Sequence, residues 1–220
     1  MLFKYFRDSR CISVAARVVI AGLALAALGG RAGTAPDNLI TNGDFSANAA
    51  VYRTAPGYSG KANPSCPTGW TLPTAATRKL AVAVGVNGSD TGVGTPFGPT
   101  SSAAVKDFAF MQGGANFISQ TVATVAVRKY VLTYEAAARA GYPGSAAVLL
   151  KNTADGKVFM SQAPAISDTA FRHFSLRFTA RSATTQIEFE NTTEGGNSSL
   201  DVSDVVLKAS GTATVHGRTF

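Results

Sequence analysis

FRHFSLRF, residues 171–178, alternates along its length. Phe174, Leu176 and Phe178 fall on one side of an extended chain, and His173, Ser175 and Arg177 on the other. A period of two with one apolar side is the signature of a half-buried antiparallel strand. The same reading extends outward. In RKYVLTYE (128–135), Tyr130, Leu132 and Tyr134 align. In TQIEFE (185–190), Ile187 and Phe189 oppose Gln186, Glu188 and Glu190. In LAVAVGV (80–86), Leu80, Val82, Val84 and Val86 share a side.

Further strands are expected over 39–45, 108–111, 117–122, 146–151, 157–161 and 200–207. Turn signals punctuate the chain: Asn42-Gly43, Asn87-Gly88, Gly113-Gly114, Tyr142-Pro143-Gly144, Asp155-Gly156 and Gly195-Gly196. Short strands at regular spacing, in a chain rich in Gly, Ala, Ser, Thr and Val, predict an all-β antiparallel sandwich or jelly roll. EAAARA (135–140) has helical propensity, but it continues a strand and soon meets Pro143, so it reads as strand extension. In the last strand Leu200 and Val202 share one parity, and Val205 and Leu207 the other. One extra residue near Ser203-Asp204 restores the apolar side, which predicts a β-bulge.

The N-terminus has a different character. Lys4, Arg7, Arg10 and Arg17 precede an uncharged run, Val18 to Gly30. That run is too short to span a hydrocarbon core of roughly 30 Å as a helix. It matches a bacterial export signal, with cleavage after Gly29, Ala32 or Ala35; the alternative is an uncleaved anchor. The whole chain carries 20 basic and 13 acidic residues, a net +7, and the first 35 residues hold five of the basic and one of the acidic. The remainder is only +3, with no run of Lys or Arg to track a phosphate backbone, which argues against nucleic acid as partner. The expected division is a signal peptide over 1–35, one β-sandwich domain over 36–208 and a C-terminal tail over 209–220. The product is expected to be secreted or periplasmic, without stable membrane insertion after processing. Of the two cysteines, Cys11 leaves with the signal and Cys66 remains alone, so no disulfide framework is expected.

NLITNGDF (38–45), PTGW (67–70), FAFMQGGANFISQTV (108–122), YVLTYEAAAR (130–139) and LDVSDVVL (200–207) occur in this order. The set resembles the galactose-binding-like β-sandwich modules that accompany bacterial carbohydrate-active enzymes, and it covers nearly all of the chain after residue 35. The resemblance implies a jelly roll with neighbouring termini and often a structural calcium. Asp44 and Asp204 match the acidic positions of that metal site. Ser46 stands where a glutamate is common, which removes one carboxylate ligand. The alternative is that Asn42 and Asp44 form an ordinary Asx turn.

Catalytic patterns are scarce. His173 lies on a polar strand side and His216 in the tail, with no HxH or HExxH spacing and no Gly-x-Ser-x-Gly elbow. Glu188 and Glu190 share a strand side, where an ion pair with Arg172 or Arg177 explains them better than a glycosidase pair does. A non-catalytic role is therefore expected. Sugars offer apolar C–H faces to aromatic rings and hydroxyls to planar polar groups. Arg139 and Tyr142, beside a Pro-Gly turn, and Gln112, at the end of FAFMQ, are the candidate ligand-binding residues, as an exposed donor and aromatic pair or as an ordinary solvated loop. Tyr52 and Tyr58 are weaker candidates, and Trp70 reads as a core anchor before a sugar platform. The leading expectation is a polysaccharide- or glycan-binding protein. A structural or adhesive matrix protein on the same sandwich is the alternative, and a small hydrolase or lyase a distant third.

Overall fold

The structure, a computed structural model, describes residues 38–48, 67–73, 84–88, 107–114, 116–167, 169–193 and 197–210. The expected signal peptide, the tail from residue 211, Tyr52, Tyr58, Cys66, His216 and the start of the 80–86 run lie outside these residues. Among them are ten strands: β1 (Val84–Gly88), β2 (Asp107–Gln112), β3 (Asn116–Ala123), β4 (Lys129–Ala138), β5 (Gly144–Asn152), β6 (Val158–Gln162), β7 (Ala165–Ile166), β8 (Arg172–Thr179), β9 (Thr184–Asn191) and β10 (Ser199–Ala209).

They form two antiparallel sheets. One runs β1-β2-β10-β4-β8; the other runs β3-β9-β5-β6, with β7 added to β5. Strands β2 to β5 alternate between the sheets, and so do β8 to β10, which is the winding of a jelly roll. The alternating residues do the joining. Tyr130, Leu132, Tyr134, Phe178, Ile187 and Phe189 are buried together between the sheets. Phe174 and Leu176 face the same core but are only half-buried, because β8 is the edge of its sheet. Trp70 is a core anchor. Its ring lies against Phe45 (5.2 Å) and Phe189 (6.3 Å), and its Nε1–H donates to the Asn42 carbonyl at 3.0 Å. EAAA continues β4 as a strand.

Two expectations are corrected. Residues 39–45 are not a strand but a chain of bends and turns leading into a 3-10 turn at Ser46–Asn48. The Asn38 side chain accepts from the Ile40 N–H at 2.9 Å, and Asn42 and Phe45 adopt positive φ (53° and 57°), which breaks the extended conformation. Glu188 does not pair with Arg172 or Arg177, because β9 and β8 belong to different sheets. Its partner is Lys151 on the neighbouring β5, at 2.7 Å.

Candidate functional site

The outer face of the five-stranded sheet, turned away from the core, carries the candidate residues. On β2 the core takes Ala109 and Met111, so Phe108, Phe110 and Gln112 point outward. On β10 the core takes Leu200 and Val202, which leaves Ser199, Asp201 and Ser203 outward. On β4, Tyr130 to Ala138 alternate into the core, and the intervening residues face out.

Register then brings Gln112, Ser199 and Arg139 into one row. Gln112 pairs with Ser199, and the Arg139 N–H donates to the Ser199 carbonyl at 3.3 Å. Just past β4 the chain turns through Gly141 (φ 75°), and the Tyr142 N–H donates back to the Arg139 carbonyl at 3.0 Å. This tight turn lays the Arg139 guanidinium 4.6 Å over the Tyr142 ring. The three residues singled out from the sequence therefore share one end of the sheet. The expectation of an exposed arginine is corrected: Tyr142 is 43% exposed but Arg139 only 8%. Arg139 is occupied within the fold, since its Nη1 also donates to the Asn197 carbonyl at 3.3 Å. Its guanidinium therefore backs the Tyr142 ring from within the fold.

Below this row lies a residue the sequence reading missed. Asp201 is fully buried between Phe110 on β2 and Ala137 on β4. Ser199 Oγ donates to its Oδ1 at 2.9 Å, while Oδ2 has no hydrogen-bond partner among the described residues. Burial pushes its carboxyl up to about 8, against the opposing pull of the Ser199 bond and the Arg139 charge. Next along the strand, Ser203 Oγ donates to the Asp107 carbonyl at 2.6 Å. The apolar cover includes Phe108, packed edge-on against Phe171 at 5.6 Å.

The bulge predicted at Ser203-Asp204 is present. The register between β10 and β4 shifts between Ser203 and Val206, and Asp204 takes φ 47°. The NGDF turn lies against it: the Val205 N–H donates to the Gly43 carbonyl at 3.0 Å. Asp44 accepts from the Ser46 N–H (3.2 Å) and Oγ (2.9 Å), so it does close a local turn. Partial burial raises the Asp204 carboxyl, and the Glu135 and Asp44 charges raise it further. Carboxylates acting on one another beside a bulged backbone are hard oxygen donors of the kind calcium takes. Among the described residues no group of three metal-ligating side chains gathers, so Asp44 and Asp204 would need backbone carbonyls to complete a shell. Glu135 is engaged elsewhere, with His173 Nδ1 at 3.1 Å.

Fold and site together define an antiparallel β-sandwich with a polar, partly covered outer sheet face. No family model matches the chain, and no curated protein sequence matches it. Solved structures similar to it include the enzymatically active domain of bacteriophage CBA120 tailspike protein 4, at 15% identity and TM-score 0.49, over 79% of this chain but 21% of that one. The CBM22-1 xylan-binding domain of Paenibacillus barcinonensis Xyn10C is similar at 13% identity and TM-score 0.46, over 66% of this chain and 88% of that one. TmCBM61 in complex with β-1,4-galactotriose is similar at 12% identity and TM-score 0.46, over 78% and 98%. At these identities and TM-scores the likeness assigns this chain no role, and the fold rests on the strand pairing described above.

Proposed function

We propose that this chain is a secreted, non-catalytic carbohydrate-binding protein that takes a glycan at the Tyr142 end of the five-stranded sheet and along its outer face. One observation carries the reading: a half-exposed tyrosine ring is held in place by a buried arginine stacked on it, in the same row as Gln112. An aromatic ring fixed before the ligand arrives loses little entropy on binding, which suits it to the apolar face of a sugar. Gln112 supplies an amide for hydroxyls. Beneath it, Ser199 Oγ is engaged with Asp201 and Ser203 Oγ with the Asp107 carbonyl, and both serines are buried, which favours a supporting role over a catalytic one for them. Calcium held by Asp44 and Asp204, and export with cleavage between residues 29 and 36, belong to the same proposal.

A glycan array on the mature protein, followed by calorimetry with a glycan it retains, tests the reading. Tyr142→Ala is expected to weaken binding by about 1–3 kcal/mol with the fold intact. Unchanged affinity moves the site elsewhere. Retention of no glycan at all favours the structural or adhesive role.

A further inference from the structure

The lower half of the same sheet face differs from the half around Asp201. Register sets Arg177 of β8 and Lys208 of β10 on either side of Val131 of β4, both paired with it. Lys129 lies two residues along β4, opposite Thr179. Next to these cations Tyr130, Phe178 and Leu207 go into the core, so Lys129, Arg177 and Lys208 project from one face. All three are exposed. Two strand spacings separate Arg177 from Lys208, about 10 Å, and Lys129 is a diagonal neighbour of each at roughly 7–8 Å.

Three like charges within a Debye length repel one another. Among the described residues none of the three has an ion-pair partner. The carboxylates nearest in register are Asp204, in the bulge between Ser203 and Val206, and Glu135, four residues up β4 from Val131; Glu135 faces His173, and neither forms an ion pair with the three cations among the described residues. Between the cations the surface is low and half-open, built from Val131, Thr133, Ser175 and Val206. A sheet face with three exposed cations that lack ion-pair partners is complementary to an extended chain carrying regularly spaced anions.

We propose that the glycan bound on this face is anionic, with carboxylate or sulfate groups on its sugar rings meeting Lys129, Arg177 and Lys208. The inference rests on the glycan-binding reading and adds the charge of the ligand.

Two pairs of polymers separate charge from sugar: polygalacturonate against its fully methyl-esterified form, and dextran sulfate against dextran. Neutral xylan and a single-stranded oligonucleotide complete the set. Affinity electrophoresis and calorimetry on the full chain are expected to show binding to at least one charged member, weaker by roughly tenfold or more for its uncharged counterpart. The pair that responds tells carboxylate from sulfate. Lys129→Gln and Lys208→Gln should each weaken that binding severalfold. Lys129→Arg and Lys208→Arg should retain it, and thermal unfolding checks that each variant keeps its fold. Equal binding to charged and uncharged members, or to xylan alone, overturns the anionic ligand and leaves the glycan reading standing. Binding to none of the polysaccharides overturns both. Oligonucleotide binding as tight as that of the best polysaccharide, with the same response to the variants, makes the face a general polyanion surface and overturns the glycan as its ligand.

Discussion

Asp201 is the residue where fold and chemistry are most at odds. A carboxyl with no exposure keeps its proton until about pH 8 in the folded chain, against 3.8 for an ordinary aspartate. The folded state therefore binds that proton more tightly than the unfolded state does. Its contribution to stability is complete below about pH 4 and is lost as pH rises towards about 8. In Asp201→Asn the group no longer titrates, and the amide oxygen can still accept from Ser199. Its thermal midpoint is expected to fall less between pH 4 and pH 8 than that of the parent, and an equally steep fall in both would show that Asp201 is not the group responsible. The residue escaped the sequence reading because an acidic side chain alternating with Leu200 and Val202 reads as solvent-facing. A signal was present nonetheless: FAFM places apolar residues on both sides of β2, as strands covered on both faces do. What covers that outer face includes Phe171, distant in sequence, and such a contact has no local period to betray it.

At the scale of elements, the contact between the NGDF turn and the bulge of β10 fixes where the chain enters the sandwich. A Cβ added at Gly43 would lie 2.0 Å from the Val205 carbonyl oxygen and 3.2 Å from Ile40. Both obstacles are close, and the carbonyl is backbone held in the strand, so the turn and not the bulge must move. Gly43→Ala is expected to lose the Val205 N–H bond to the Gly43 carbonyl and to destabilise the fold by about 1–3 kcal/mol, read from denaturant midpoints. A change below about 0.5 kcal/mol would mean that the turn is not clamped. The bulge itself was legible, because a shift in apolar parity across Ser203-Asp204 leaves few other ways to keep both Val202 and Val205 in the core. The strand expected over 39–45 was misread for the opposite reason. Its apolar residues Leu39, Ile40 and Phe45 do pack inward, but Asn38 and Asn42 bend the backbone with their own side chains, and apolar spacing does not report that. The Arg139–Tyr142 pairing was legible from the Pro-Gly turn, whereas the burial of Arg139 depends on the 197–199 segment brought alongside by the sheet.

At the scale of the whole molecule, the first and last described segments are bound to each other. The Leu39 N–H donates to the Leu207 carbonyl at 2.9 Å, and Asn38 both accepts from the Leu207 N–H and donates to the Val205 carbonyl. This clasp joins segments more than 160 residues apart, so it closes the longest loop among the described hydrogen bonds. Asp44 and Asp204 sit on the two halves of the clasp with like charges that repel, and Glu135 adds to the repulsion on Asp204. A divalent cation between Asp44 and Asp204 would turn that repulsion into attraction at the place where the ends meet. Because such an ion binds the closed chain and not the open one, it would stabilise the fold by about 2.7 kcal/mol at a hundred times its dissociation constant. Ser46 lowers the expected affinity, since its hydroxyl donates to Asp44 where a carboxylate would have served as a further ligand. Protein stripped of metal and then unfolded thermally with calcium or with chelator is expected to melt higher with calcium, by an increment that grows with calcium concentration and disappears in Asp204→Asn. Identical midpoints in the parent would leave the hydrogen bonds of Asn38 and Gly43 as what holds the clasp, with Asp44 as a turn residue and Asp204 as the residue that shapes the bulge.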